Sequence, residues 1–215
     1  MLYSLFSSIN SLEILKSISS RSCLAAFTAF FISIFFGHWF IKRLRSLKVG
    51  EDTTKTDSEE LKRMHFDKKN TPTMGGIVII VSILVSVLLW CNIYNEYILL
   101  LMFTLIWFGV LGFIDDYIKL TQTKAAGLTD VSKLLFQSAL GLILGLILYF
   151  HMKKFAWGTH VVIPLVKDFR PDLGPLYILF VTFFIVGMSN AVNLTDGLDG
   201  LAIGCGIIAG IAFAV

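Results

Sequence analysis

The chain has 215 residues, of which 56% are hydrophobic and only 15% charged, with a formal net charge of +3. That balance excludes a soluble globular domain, whose surface in water needs far more charge, and gives no reason to expect a nucleic-acid partner. It predicts instead an all-α, polytopic membrane helix bundle.

Crossing the ~30 Å of bilayer hydrocarbon takes about 20 apolar residues per helix. Stretches of that kind recur at 23–41, 74–91, 97–114, 134–150, 176–189 and 201–215. The last has fifteen residues before Val215, about 22 Å of helix. It therefore reads as a sixth span cut short, and the chain as one integral membrane domain truncated at its C-terminal end. Residues 1–22 carry Leu2, Phe6, Ile9, Leu12, Leu15 and Ile18 as a rough helical stripe with serines opposite, which suits a segment lying on the outer membrane surface. They lack the basic start and continuous apolar centre of a cleaved signal.

Lys42, Arg43, Arg45, Lys48, Lys55, Lys62, Arg63, Lys68 and Lys69 crowd the loop after the first span, whereas the 91–96 turn has no Lys or Arg. By the positive-inside rule the 42–73 loop is cytoplasmic and the N-terminus lies outside. Alternation then puts the 115–133 and 190–200 loops inside and 151–175 outside. Lys153, Lys154, Lys167 and Arg170 in that outer loop weaken the assignment without reversing it. Cys23 and Cys91 both fall near the outer face, where a disulfide between them is open; the three cysteines have no metal-ligand spacing.

The second span is entered through His65-Phe66-Asp67-Lys68-Lys69-Asn70-Thr71-Pro72-Thr73-Met74-Gly75-Gly76. Lysines, threonine hydroxyls and free helix-start amides suit a phosphate or a nucleotide edge, and the paired glycines allow close approach. A simple capped helix entry is the other reading. The third span ends in Phe113-Ile114-Asp115-Asp116-Tyr117-Ile118-Lys119. Two adjacent carboxylates at a membrane lip are costly unless a cation, a counter-charge or water meets them. If the helix continues, Lys119 can share a face with either aspartate, so a solvated helix end paired with Lys119 competes with a metal and diphosphate site. Lys124 and Lys133 follow, the latter at the start of the fourth span. The outer loop, with Trp157, Pro164, Pro171 and Pro175, suits a short hairpin with no evident chemistry.

The fifth span runs into Ser189-Asn190-Ala191-Val192-Asn193-Leu194-Thr195-Asp196-Gly197-Leu198-Asp199-Gly200. Asn190, Asn193, Asp196 and Asp199 recur every third residue, which would set two amides and two carboxylates along one helical or 3₁₀ face. A glycine follows each aspartate and permits unusual backbone angles there. All three polar motifs fall on the side that charge alone assigns to the cytoplasm, as one active site would require.

At these residues the sequence resembles the phospho-N-acetylmuramoyl-pentapeptide transferases, the MraY branch of the polyprenyl-phosphate N-acetylhexosamine-1-phosphate transferase superfamily. The resemblance runs along the whole chain and is most specific at Thr71–Gly76, Asp115–Lys119 and Asn190–Gly200; Asn70 stands where that family usually has glycine. It implies about ten spans in an intact protein. It also implies transfer of phospho-MurNAc-pentapeptide from UDP-MurNAc-pentapeptide to undecaprenyl phosphate with Mg²⁺, giving lipid I and UMP, at the inner face of a bacterial cytoplasmic membrane, as the first membrane step of peptidoglycan synthesis. Asp115 and Asp116 would lie beside Mg²⁺ and the diphosphate, one of them serving as base. Lys119 and Lys133 would hold phosphates. Lys68, Thr73, Asn193, Asp196 and Asp199 would meet the uridine side, and Asn190 would stand near the metal and diphosphate. Direct attack and a covalent aspartyl intermediate are both open, and a homodimer is implied. The family's later metal-binding aspartate and histidine-rich loop would lie beyond Val215, so this chain by itself is expected to be inactive or to depend on that half. An aspartate-rich membrane prenyltransferase and a cation transporter are the competing readings.

Overall fold

A computed structural model describes residues 17–46, 74–121, 127–155, 158–163, 166, 169–197 and 200–214. Among these the regular structure is all helical: α1 (Ile18–Ser46), α2 (Gly76–Trp90), α3 (Glu96–Thr121), α4 (Asp130–Met152), α5 (Leu176–Thr195) and α6 (Leu201–Ala214). Each falls on one predicted span. In hydrocarbon every backbone N–H and C=O must be satisfied within the element, and a helix does this without a neighbour. Among the described residues, α1, α3, α4 and α5 are long and apolar enough to cross a membrane, while α2 and α6 are apolar but shorter, at 15 and 14 residues. Phe27, Phe31, Phe35, Trp39, Leu101, Val110, Phe183 and Ile208 are exposed, the outward apolar surface that a bilayer solvent allows.

The chain divides into two compact units, residues 1–129 and 130–215. In the first, α1 packs on α2 and α2 on α3. Small groups set the spacing. A Cβ at Gly37 would lie 3.2 Å from Val78, and Ser82 and Ser86 are buried with their hydroxyls folded onto the carbonyls of Val78 and Ser82. The Trp90 indole N–H donates to the Thr28 hydroxyl at 2.9 Å. The pairings of Gly37 with Val78 and Thr28 with Trp90 run in opposite senses, so α1 and α2 are antiparallel. Asn95 turns the chain into α3, its carboxamide oxygen accepting from Tyr97 N–H at 2.9 Å. The basic end of α1, the start of α2 and the end of α3 therefore lie at one end of this unit. α1 begins at Ile18, so the last residues of the predicted surface segment belong to the same helix as the span.

In the second unit α4 and α5 pack antiparallel, and α5 also touches α6. Leu140, Leu144 and Val181 form the buried apolar centre. The closest approach is made by glycines: a Cβ at Gly141 would lie 2.8 Å from Thr182 Cα, and one at Gly145 2.9 Å from the Ile178 carbonyl oxygen. Without a hydrophobic drive between helices in lipid, such backbone-to-backbone fit is what association rests on. The connection after α4 carries an isolated antiparallel bridge between His160 and Asp172, with Val161 N–H on Pro171 O and Leu173 N–H on Thr159 O, the core of the predicted hairpin. Cys23, Cys91 and Cys205 are all free thiols, so the Cys23–Cys91 disulfide is not formed.

Candidate functional site

The first unit places its polar chemistry at the C-terminal end of α3. The helix continues past the paired carboxylates for about one and a half turns, to Thr121, and this brings Lys119 under Asp115. Lys119 Nζ lies 2.9 Å from Asp115 Oδ2, so of the two aspartates it could reach it pairs with the one four residues back. Asp115 Oδ1 accepts the backbone N–H of Leu128 at 2.8 Å, where the chain returns from its loop. That return needs Gly127: its φ is +64°, and a Cβ there would lie 2.6 Å from Asp115 Oδ1. The Asp115 side chain is 14% exposed against 41% for Lys119, which rules out a freely solvated carboxylate at this helix end. Asp116 is partly buried beside it. Both carboxylates sit toward the negative end of the α3 dipole, where anions are disfavoured, so compensating positive charge is built into the position and Lys119 supplies one unit of it.

At the same end of this unit α2 begins. Gly75 there has an ordinary φ of −60°, and the left-handed angle falls on Met74, at φ 68°. A Cβ on either glycine would meet nothing within 4 Å, so the room they leave is open. Lys68 and Thr73 lie outside the described residues.

In the second unit the polar residues sit at the end of α5 and the start of α4. Asn190 and Asn193 are on the last turns of α5, about 60° apart around the helix, and Asp196 is its C-cap, the Asp196 N–H reaching the Val192 and Leu194 carbonyls. The single face predicted through 190–199 thus ends with the helix at Thr195. Gly200 takes the left-handed angle, φ +80°, and Gly197 does not; Asp199 lies outside the described residues. Asp196, like the α3 pair, stands at the negative end of a helix. Lys133, partly buried, is on the first turn of α4 at this same end of the antiparallel pair.

One residue here escaped the sequence reading. Gln137, one turn beyond Lys133 and 5% exposed, donates from Nε2 to Ser189 Oγ at 3.1 Å and accepts at Oε1 from Asn190 Nδ2 at 2.9 Å. The signal for it was weak: a lone glutamine in an apolar run, whose partners lie more than fifty residues away.

Two comparisons bear on what these helix ends are. The family model described as "Glycosyl transferase family 4" matches residues 97–215, more than half of the chain, taking in α3 from its second residue and all of α4 to α6. The chain belongs to glycosyl transferase family 4. The "Phospho-N-acetylmuramoyl-pentapeptide-transferase signature 1" matches residues 68–80, the approach to α2 and its first turn. Proteins bearing the name phospho-N-acetylmuramoyl-pentapeptide-transferase from Desulforapulum autotrophicum and Oleidesulfovibrio alaskensis are each 42% identical over 214 residues, covering 100% of this chain and 58% of their own length. One from Syntrophus aciditrophicus is 40% identical over 204 residues, covering 95% of this chain and 55% of its own. The chain thus spans a little over half the length of the curated relatives it matches. Within this family-4 chain the matched region contains both polar helix ends, Asp115 to Lys119 and Asn190 to Asp196.

Proposed function

We propose that the protein is a multi-pass enzyme of a bacterial inner membrane, its polar helix ends facing the cytoplasm. It transfers phospho-MurNAc-pentapeptide from UDP-MurNAc-pentapeptide to undecaprenyl phosphate, giving lipid I and UMP. The observation that carries this reading is the similarity along the whole chain to proteins of that name, with their signature at 68–80. The geometry supports it, because the C-terminal ends of α3 and α5, two of the motif-bearing helix ends, each hold a carboxylate against a helix dipole.

The reaction joins an oxygen of the lipid phosphate to the sugar-bearing phosphorus and breaks the bond from that phosphorus to UMP. Asp115 and Asp116 offer hard oxygen donors for Mg²⁺. Among the described residues no group of three or more His, Cys, Asp or Glu side chains could hold a metal by itself. Two adjacent carboxylates fit the habit of this ion, which takes one or two of them and completes its shell with water and substrate phosphate. When bound it supplies charge neutralisation at the diphosphate and the departing UMP. Lys119, anchored by Asp115, and Lys133, on the first turn of α4, bring positive charge toward phosphate oxygens. Asn193 and Asp196, with Lys68, Thr73 and Asp199, recognise the uridine side, and Asn190 stands toward the diphosphate. A homodimer follows from the same reading.

The test is turnover of UDP-MurNAc-pentapeptide by the purified protein at its natural length, with undecaprenyl phosphate in detergent, with and without Mg²⁺. Metal-dependent release of UMP is the expected result. Transfer of a prenyl group with no nucleotide requirement would sink the proposal.

A further inference from the structure

We infer that Gln137 is a positioning residue that fixes the amide of Asn190 with its carbonyl oxygen turned outward. This inference rests on the transferase reading above. Its starting point is that Asn190 Nδ2 makes two hydrogen bonds, one to Gln137 Oε1 and one to the Val186 backbone carbonyl, each at 2.9 Å. A backbone carbonyl can only accept, so the nitrogen of the Asn190 amide must face Val186. Gln137 must then present its oxygen to Asn190 and its nitrogen to Ser189, whose hydroxyl accepts at 3.1 Å. Both amide hydrogens of Asn190 are thereby committed.

What Asn190 has left is Oδ1, an acceptor, on an exposed side chain at the end of α5. The group it meets is electropositive, either a cation or an N–H or O–H of the substrate, and not a bare phosphate oxygen. Gln137 itself touches no substrate. It is almost fully buried between α4 and α5, one turn from Lys133, and it holds the amide through the helix pair rather than through solvent. A buried amide network of this kind locks a side chain because every alternative orientation leaves a polar group unpaired.

The experiment is a double-mutant cycle on kcat/KM with UDP-MurNAc-pentapeptide and undecaprenyl phosphate, in the protein at its natural length, using Gln137→Met, Asn190→Ala and the pair. Gln137→Met is expected to lower kcat/KM by about tenfold. In the Asn190→Ala background the same change is expected to do nothing further. Gln137→Glu, which keeps an acceptor oxygen for Asn190, is expected to restore kcat/KM to within about threefold of wild type, and this arm stands even if the Met variant fails to fold. Multiplying effects in the cycle would overturn the inference, as would a Glu variant that melts normally yet is as slow as Asn190→Ala. Absence of turnover by the wild type would instead strike the transferase reading itself, so the two failures are told apart.

Discussion

The ends of α3 and α5 solve the same problem in different ways. Each carries acidic groups at the negative pole of a helix that runs through apolar surroundings. At α3 the charge is compensated locally: Asp115 is matched by Lys119 on its own helix and by the Leu128 N–H of the returning loop, all within fourteen residues of sequence. At α5 it is the neighbouring Ser189 and Asn190 side chains, one to two turns before Asp196, that are held, and they are held from the adjacent helix through the buried Gln137. A locally satisfied site survives as long as its own helix does, whereas a site held across a helix pair is only as good as the packing beneath it. The two ends should therefore fail differently.

The largest effect is expected at α3. Asp115→Ala removes at once the partner of Lys119, the acceptor for Leu128 and a proposed metal donor. Activity should fall on the order of a thousandfold, the scale of losing a group that takes part in the chemistry, with little change in the melting temperature of the protein. Steady-state kinetics with a thermal melt checks both. A loss below tenfold would reduce the α3 end to a structural cap. Gly127→Ala should reproduce part of the defect without touching a charge, because the added Cβ displaces Asp115 Oδ1.

At α5 the expected loss is smaller. Asp196→Asn keeps the shape and removes the charge, and a charged hydrogen bond of about 1.5–3 kcal/mol translates to roughly tenfold to a hundredfold in kcat/KM. Nucleotide binding by calorimetry should weaken in parallel. Unchanged binding would take Asp196 out of the uridine side.

These ends also differ in how far sequence alone reveals them. Hydropathy located the six helices of the described residues because in a bilayer the apolar run is the element, but it marked where lipid contact stops and not where the helix stops. Thus the third span was read as ending at Ile114, while α3 runs to Thr121, and that extension is what carries Lys119 beneath Asp115. The fifth span was likewise read as ending at Ser189 while α5 runs to Thr195; the helical face read for Asn190 and Asn193 holds, but the helix closes before Asp196. The α3 cluster was nearly legible, being written within a few residues. Gln137 was not, because its role depends on which residue of α5 lies opposite it, and packing register is not written in composition. Nor was the left-handed angle on Met74, next to two glycines that would adopt it at lower cost.

The dependence of α5 on α4 can be broken from below. Gly145→Leu drives a large side chain into the Ile178 backbone, where even a Cβ would lie 2.9 Å from its carbonyl oxygen. Overpacking of this kind costs about 1–3 kcal/mol, and the change should loosen the Gln137 contacts while leaving those of Asp115 in place. Hydrogen exchange at the last turn of α5 should rise and that around Leu128 should not. Gly204→Leu on α6, where a Cβ meets nothing within 4 Å, is the control and should leave both unchanged.

The smallest effect concerns a third carboxylate, at the opposite end of the α4–α5 pair. Asp172 is satisfied locally, as Asp115 is. It accepts from the Thr159 hydroxyl and from the Gly174 N–H at 2.9 Å. The Thr159 hydrogen bond, then that of Gly174, then the nearby His160 hold its pKa below the ordinary carboxylate value. A folded-state pKa below the unfolded one means that the unfolded chain binds more protons in the acid range, so stability rises with pH there. The contribution of Asp172 is complete above the ordinary carboxylate range and is lost as pH falls through its lowered pKa. Protection of the Val161 and Leu173 amides, which bond across the bridge beside it, should therefore weaken on acidification after correction for intrinsic exchange. Asp172→Asn keeps an acceptor for Thr159 and should flatten that dependence. If the Asn variant loses protection with pH as the wild type does, the carboxylate is not what secures this turn. Local satisfaction would then be a property of the α3 end alone.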